Sequence, residues 1–273
     1  MKHVVAFSGG RTSAYMSQLL KSKYDNVEFF FIDTGAEHPK TYEFIRKCDK
    51  AFNLNLTVLR PVINQTKGVG TSYDIVSTDD IGWDLSIMKD LTKKYGTFTA
   101  VTPLCTSTLK RDVADKYIKT KGDVTRWIGI RCDEKRRLKD KTGFKYLADI
   151  SDMEKSDILE WWSNMPFDLN IEEHLGNCIF CVKKGNNRIA LAQRDEPELF
   201  EEWVDMVKQA RQRGEQPKEL IYRGKVSPEG VVKFYEDYTY DEIKQTMRMY
   251  KNKQTLCSES CESFQMELFN EGS

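Results

Sequence analysis

Three groups of residues in this chain could do chemistry. The first is Ser8-Gly9-Gly10-Arg11-Thr12-Ser13, set between an apolar run from His3 to Phe7 and a helical period that opens at Ala14. Paired glycines let backbone N–H groups crowd one small space, and a helix starting there turns its positive end to the same spot. The hexapeptide therefore suits an anion such as a nucleotide phosphate, although a glycine turn after a strand is also an ordinary chain reversal. The second group is Cys178-Ile179-Phe180-Cys181, which follows Gly176-Asn177 and brings two thiols within reach of one ion. Zinc sites and iron-sulfur sites both use this spacing. Thiol exchange ranks third, because a redox CxxC normally opens a helix after a strand and this one follows a loop. The third group is a loop where Arg131, Lys135, Arg136, Arg137, Lys139, Lys141 and Lys145 outnumber Asp133, Glu134 and Asp140. Arginine presents a planar fork to phosphate or sulfate, so Arg131 with Arg136 or Arg137 is expected to clamp an anion. Lys139 to Lys145 fit a solvated charged hairpin equally well.

The elements that must position these groups are legible as periods. Apolar strands at 3–8, 27–32, 56–60 and 124–130 alternate with helical periods at 12–23, 39–53, 84–95 and 105–119. Such alternation predicts an α/β fold, a parallel twisted sheet with helices on both faces. The turns after the first two strands should meet at the C-terminal edge of that sheet, where Asp33, Thr34 and Gly35 would border a ribose or adenine. Residues 62–83 carry Gly68, Gly70 and many Thr, Ser and Asp without periodicity, which predicts a long lid-like loop. A fifth strand is expected at 146–150, then helices at 156–164, 187–212 and 240–250. The chain divides into a nucleotide-binding α/β domain, residues 1–150, and a helical extension, residues 151–273, carrying the CxxC and a C-terminal Cys257-Ser258-Glu259-Ser260-Cys261.

The 273 residues suffice for a sizeable core. Forty-two basic and forty-two acidic residues cancel, so no global field draws the protein to nucleic acid or to an anionic membrane, and any such contact must be local. No apolar run approaches the length of a membrane span and the N-terminus enters a strand at once, so neither signal peptide nor anchor is expected and the location should be cytoplasmic. Seven cysteines, an odd number, argue for metal ligation or redox chemistry over a disulfide framework. Cys48, on an apolar helix face, reads as a core residue. Cys105 reads either as a ligand or as a buried small hydrophobe. His38 before Pro39 reads as a capping residue and His174 as a loop residue.

Ser8-Gly9-Gly10-x-x-Ser13 resembles the PP-loop of the adenine nucleotide alpha-hydrolase superfamily, which includes ATP pyrophosphatases and phosphoadenosine phosphosulfate (PAPS) reductases. Asp33-Thr34-Gly35-Ala36-Glu37-His38-Pro39 and Ile128-Gly129-Ile130-Arg131-Cys132-Asp133-Glu134 resemble later PAPS-reductase segments in the same order. The likeness continues through Leu104-Cys105-Thr106, Leu109-Lys110, Pro166-Phe167-Asp168-Leu169 and the stretch from Gly176 to Gly185, about residues 1–190 in all. It implies that Ser8, Gly9, Gly10, Arg11, Thr12 and Ser13, with Asp33, Thr34, Gly35 and Gly129, bind an adenine nucleotide, PAPS or ATP. It also implies a [4Fe-4S] cluster, with zinc as the alternative, on Cys105, Cys178 and Cys181 with Cys257 or Cys261, and a lysine, Lys110, on substrate.

The pattern departs from the family at three places. Thr12 stands where ATP pyrophosphatases carry aspartate, Cys105 is single where cluster-bearing members have adjacent cysteines, and the Glu-Cys-Gly-x-His segment of PAPS reductases is missing. Cys257 or Cys261 would then be the nucleophile, with Arg131 and Arg136 holding the anion. The expected activity is sulfonucleotide reduction or sulfur transfer, the acceptor being a nucleic acid or a thiol protein. The rival is a non-catalytic, zinc-stabilised nucleotide- or nucleic-acid-binding module. Small stand-alone members of this branch are often bacteriophage-encoded.

Overall fold

A computed structural model of the protein describes residues 2–249 apart from 213 and 216. Its strands are β1 (Lys2–Ala6), β2 (Val27–Ile32), β3 (Thr57–Val62), β4 (Ser72–Val76), β5 (Val124–Ile128) and β6 (Phe144–Tyr146), in the spatial order β4-β3-β2-β1-β5-β6. All neighbours are parallel except β3 and β4. Val5 sits in register with Phe29 on one side and Trp127 on the other. The chain winds outward from β1 through β2 and β3, then returns to β1's other edge with β5. The order therefore reverses between β1 and β5, and a crevice opens at the C-terminal ends of those two strands.

Side-chain alternation along each strand explains the two helical layers. Val5, Phe29, Phe31, Val58 and Trp127 face one apolar cluster, with residues of α1 (Arg11–Lys23), α2 (Pro39–Phe52) and α5 (Lys155–Ser163). Val4, Ala6, Phe30, Ile32, Leu59 and Ile128 face the other, with α4 (Asp112–Lys119). A third cluster joins α3 (Ser86–Tyr95) and Leu109 to α6 (Asn186–Asp195), α7 (Pro197–Gln209), α8 (Pro228–Phe234) and α9 (Tyr240–Met249). Ile158, Trp162 and Leu169 pack in the sheet's own cluster, so segments after residue 150 share the sheet's core.

Several elements differ from the sequence reading. The stretch 62–83 holds β4, an antiparallel edge strand with no fully buried residue, whose apolar Tyr73, Ile75 and Val76 do not alternate regularly with polar ones. The single helix expected at 187–212 is two, because Pro197 cannot continue a helix and holds Glu196 at φ −132°, ψ 62°. The period at 105–119 begins as a π-helix, Cys105–Arg111. The strand expected at 146–150 lies earlier, and Leu147–Asp149 form a 3₁₀ turn. Helix α8 was not foreseen, while position 250, the expected end of the last helix, lies outside the described residues. Among the described residues no helix is long and apolar enough to cross a membrane.

Candidate functional site

The turn after β1 is held by its own hydroxyls. Ser13 Oγ donates to the Gly10 carbonyl at 2.9 Å and accepts from the Ser8 amide at 3.1 Å and from Ser8 Oγ at 2.9 Å. With these side chains facing each other, the groups left to receive an anion are the first amides of α1, which have no acceptor one turn back. Gly9 is at φ +78°, and a Cβ there would lie 3.0 Å from Ile45 Cδ1 and 3.2 Å from Thr41 Cγ2. After β5, Gly129 lies so close to the start of α1 that a Cβ would be 3.2 Å from Ser13 Cα. The structure thus brings Ser8 to Ser13 and Gly129 together at the crevice.

Arg131 behaves otherwise than expected. Its guanidinium is 1% exposed, donates from Nε and Nη2 to the two Asp133 oxygens at 2.8 and 3.0 Å, and reaches Thr12 Oγ1 at 3.2 Å. A buried guanidinium must be matched by carboxylates, and Asp133 lies two residues away, so the charge expected to clamp a ligand is turned inward to tie the β5 turn to the β1 turn. Arg136 is exposed on the same loop, and Arg137 pairs with Glu134. Thr12 therefore serves as an acceptor for Arg131. Arg11 makes a bidentate pair with Asp168, both bonds at 2.7 Å, and its carbonyl accepts from Trp162 Nε1 at 3.0 Å. Partial burial pushes the Asp168 carboxyl up, but the bonds from Arg11 and the Leu169 amide outweigh it and hold Asp168 below the ordinary value.

The turn after β2 is buried. Asp33, 1% exposed, accepts from the Gly35 amide at 3.0 Å, from the Tyr42 hydroxyl at 3.3 Å and from Arg60 at 2.9 and 3.2 Å. Burial raises its carboxyl despite Arg60. Gly35 is at φ +73°, and a Cβ on it would fall 1.8 Å from the Asp84 carbonyl oxygen. The hydroxyls of Thr34 and Thr41 are buried without a hydrogen-bond partner, polar atoms of the kind a ligand or water satisfies.

This turn meets the cysteine segment directly. Glu37 and Cys178 form an isolated antiparallel bridge, and the Ile179 amide donates to the Ala36 carbonyl at 3.0 Å. Glu37 is 2% exposed; its Oε1 accepts from Cys178 Sγ at 3.4 Å and lies 3.5 Å from Lys110 Nζ, while Oε2 is buried without a partner. Lys110 Nζ is 3.9 Å from Cys178 Sγ. The π-helical segment that carries Cys105 and Lys110 thus passes beside Cys178, and π-turns recur at functional sites. Glu37, Arg60 and Asp168 had no assigned role in the sequence reading. A charged residue within the apolar run of β3 was the available signal for Arg60, and membership of the family-like segments 33–39 and 166–169 was the signal for the other two.

Cys178 and Cys181 lie in one turn, with the Cys181 amide on the Cys178 carbonyl at 3.2 Å, and Cys105 packs against the same apolar cluster as Cys178. Lys184, 1% exposed, braces the turn by donating to the His174 and Ile179 carbonyls at 2.6 and 2.8 Å. Among the described residues no group of three or more His, Cys, Asp and Glu side chains is placed to hold a metal ion, and Cys257 and Cys261 lie outside the described residues. Cys48 is fully buried, and burial, with help from Asp168 and Asp49, pushes its thiol far up. Cys132 donates to the Asp152 carbonyl at 2.9 Å. His174, expected as a loop residue, is buried in a 3₁₀ turn, 2.5 Å from Asp195.

A cleft of about 680 Å³ lies beside Arg11 at the start of α1, bordered by Arg11, His38 and Lys40 on one hand and by the carboxylates of Glu172, Asp195 and Glu196 on the other. The first residue of α1, Arg11, and the cap of α2, His38, both open on it. His38 is the capping residue expected, with Nδ1 accepting from the Lys40 amide at 3.0 Å and Nε2 3.0 Å from Glu196.

A mostly parallel sheet flanked by helices, with a phosphate-type turn after the strand next to its switch point, defines a nucleotide-binding fold of the PP-loop kind. The chain belongs to the phosphoadenosine phosphosulfate reductase family, whose domain profile matches residues 2–173. It is 44% identical over 277 residues to the uncharacterized nin region protein ORF290 of Escherichia phage lambda, covering 97% of this chain and 96% of that one. It is 32% identical over 76 residues to the phosphoadenosine 5'-phosphosulfate reductase of Thiocapsa roseopersicina, 27% of this chain and 32% of the relative. Among solved structures, the PAPS reductase of Candida auris in its phosphate complex aligns at a TM-score of 0.39 and 18% identity, over 60% of this chain and 72% of that one.

Proposed function

We propose that the protein binds an adenine nucleotide at Ser8 to Ser13 and reduces or transfers sulfur on a phosphate-activated substrate. The observation that carries this reading is the bridge between Glu37 and Cys178, which sets the cysteine segment against the turn after β2, beside the phosphate turn. The first amides of α1 take the phosphate, and the Asp33 to Gly35 turn borders the nucleoside. Lys110, beside both Glu37 and Cys178, supplies a cation next to the Cys178 thiol. In the reductase form of the reaction a cysteine thiolate, Cys257 or Cys261, attacks the sulfonate sulfur. An S–S bond forms, the S–O bond to the nucleotide breaks, and a second thiol then closes a disulfide and releases sulfite, so the two electrons come from thiols.

Cys105, Cys178 and Cys181 are donors of the type that a [4Fe-4S] cluster or zinc takes, and one of Cys257 and Cys261 would complete the set. When bound, a cluster would supply sulfide or electrons, and zinc would brace the turn. Anaerobic purification with iron, sulfide and zinc analysis separates the two. Activity is scored as sulfite release from PAPS and sulfur incorporation into RNA and DNA. Titration calorimetry with ATP, AMP and PAPS should show binding to wild type and none to Gly9→Val, whose side chain would press on Ile45 and Thr41. Equal binding by both proteins refutes the nucleotide assignment. Nucleotide binding without any sulfur chemistry in the iron-replete protein would leave the zinc-stabilised binding module.

A further inference from the structure

A second cavity, of about 830 Å³, is lined by residues of the stretch 97–102 and by Gly214 and residues of the stretch 217–225. Among the described residues its charged lining is Lys218, Arg223 and Lys225, while Glu215 and Glu219 of the same segment do not border it. None of the three forms an ion pair with a carboxylate among the described residues. In a chain whose charges cancel, a groove that keeps three cations and no anion is a local excess of the kind that recruits a polyanion.

The walls are built, not incidental. The Ala100 amide donates to the Ile221 carbonyl at 3.1 Å and joins them, and Thr99 Oγ1 and Thr102 Oγ1 close the first wall's turn at 3.0 Å. Lys218 Nζ donates to the Ala210 carbonyl at 3.0 Å, and Arg223 Nη2 to the Lys183 carbonyl at 2.8 Å, which fixes both cations in place. The groove is also tied to the thiols. Tyr222, on its floor, donates its hydroxyl to the carbonyl of Phe180, within the CxxC, at 3.1 Å, and the first wall leads straight into Cys105.

We propose that this groove binds a single-stranded segment of nucleic acid. Cations and threonine hydroxyls match phosphodiester oxygens, while Val101, 89% exposed, and Leu220 offer apolar surface to sugars and bases. An acidic peptide would use the cations but not that apolar lining. A strand lying here would rest against the segment of Tyr222, whose buried hydroxyl is bonded to the cysteine turn. The binding stands on the groove alone; that the strand is also the sulfur acceptor rests on the function proposed above.

The test is fluorescence anisotropy of the full-length protein with labelled single-stranded DNA and RNA 12-mers and with a poly-glutamate peptide, from about 50 to 300 mM salt. Wild type should bind an oligonucleotide, with log K falling against log salt at a slope of about −2, from three phosphate contacts at ~0.7 each. Arg223→Glu/Lys225→Glu should weaken binding at least about tenfold and flatten the slope, because two of the groove's positive charges are reversed. Lys47→Glu, an exposed charge reversal on α2, should change little. ATP binding, measured in parallel, should be unchanged in the double variant. Failure of wild type to bind either oligonucleotide, equal affinities in wild type and double variant, tighter capture of poly-glutamate, or joint loss of ATP binding would each overturn the proposal. Oligonucleotide binding without sulfur transfer to it leaves the groove standing and removes only the acceptor role.

Discussion

Gly35→Ala tests whether the turn after β2 is fixed by contact with the backbone around Asp84. At φ +73° an alanine costs about 1–2 kcal/mol in left-handed backbone alone. Its Cβ would also lie 1.8 Å from the Asp84 carbonyl oxygen, where even a close C–H···O pair needs about 3.3 Å. Backbone must therefore retreat by about 1.5 Å. That movement breaks the 2.9 Å bond from the Asp84 amide to the Gly35 carbonyl, worth about 1 kcal/mol, and loosens the Gly35 amide from buried Asp33 at a further cost of about 1–3 kcal/mol. Gly68→Ala is the control: φ is +83°, but nothing lies within 4 Å of its Cβ, so only the backbone cost remains. Urea unfolding, analysed as the shift in midpoint at constant m-value, should show Gly35→Ala less stable than Gly68→Ala by at least about 2 kcal/mol. It should also weaken ATP or PAPS binding, which Gly68→Ala leaves unchanged. A stability difference below about 0.5 kcal/mol, smaller than one typical hydrogen bond, would refute the anchoring argument.

Two further perturbations probe the buried and half-buried charges. Lys110→Met should destabilise by about 3–5 kcal/mol, because it strands the Glu37 carboxylate, one of whose oxygens already lacks a partner; Lys110→Met/Glu37→Gln should recover much of this, and a single-variant loss below about 1 kcal/mol in urea unfolding would contradict it. Asp168 titrates lower in the folded than in the unfolded chain, so its pair with Arg11 contributes fully above the ordinary aspartate value of about 3.9 and is lost as pH falls through the lower folded value. The stability gap between wild type and Asp168→Asn should accordingly be largest near neutrality and close in acid, and a gap independent of pH would contradict the assignment.

The local grammar of the chain determined the strand, turn and helix units around Ser8 to Ser13 and Asp33 to Gly35, because periodicity, glycine and helix-start chemistry act over a few residues. The same locality made Cys178 and Cys181 a pair and His38 a cap. Pro197 was legible as a helix break too, yet the apolar spacing on either side of it masked the interruption. Tertiary structure decided the rest. Arg131 could be read as an anion clamp until its burial beside Asp133 showed where the charge goes, since a guanidinium out of water needs a carboxylate before it can serve a ligand. Arg11 meets Asp168 across 157 residues, and Glu37 meets Cys178 across 141. Such contacts depend on the sheet order and on how the C-terminal helices pack over it, which no short window of sequence contains. The same packing sets the loop before Cys105 against the loop around Tyr222, and so makes a basic groove from cations that, read along the chain, are indistinguishable from solvated surface charge.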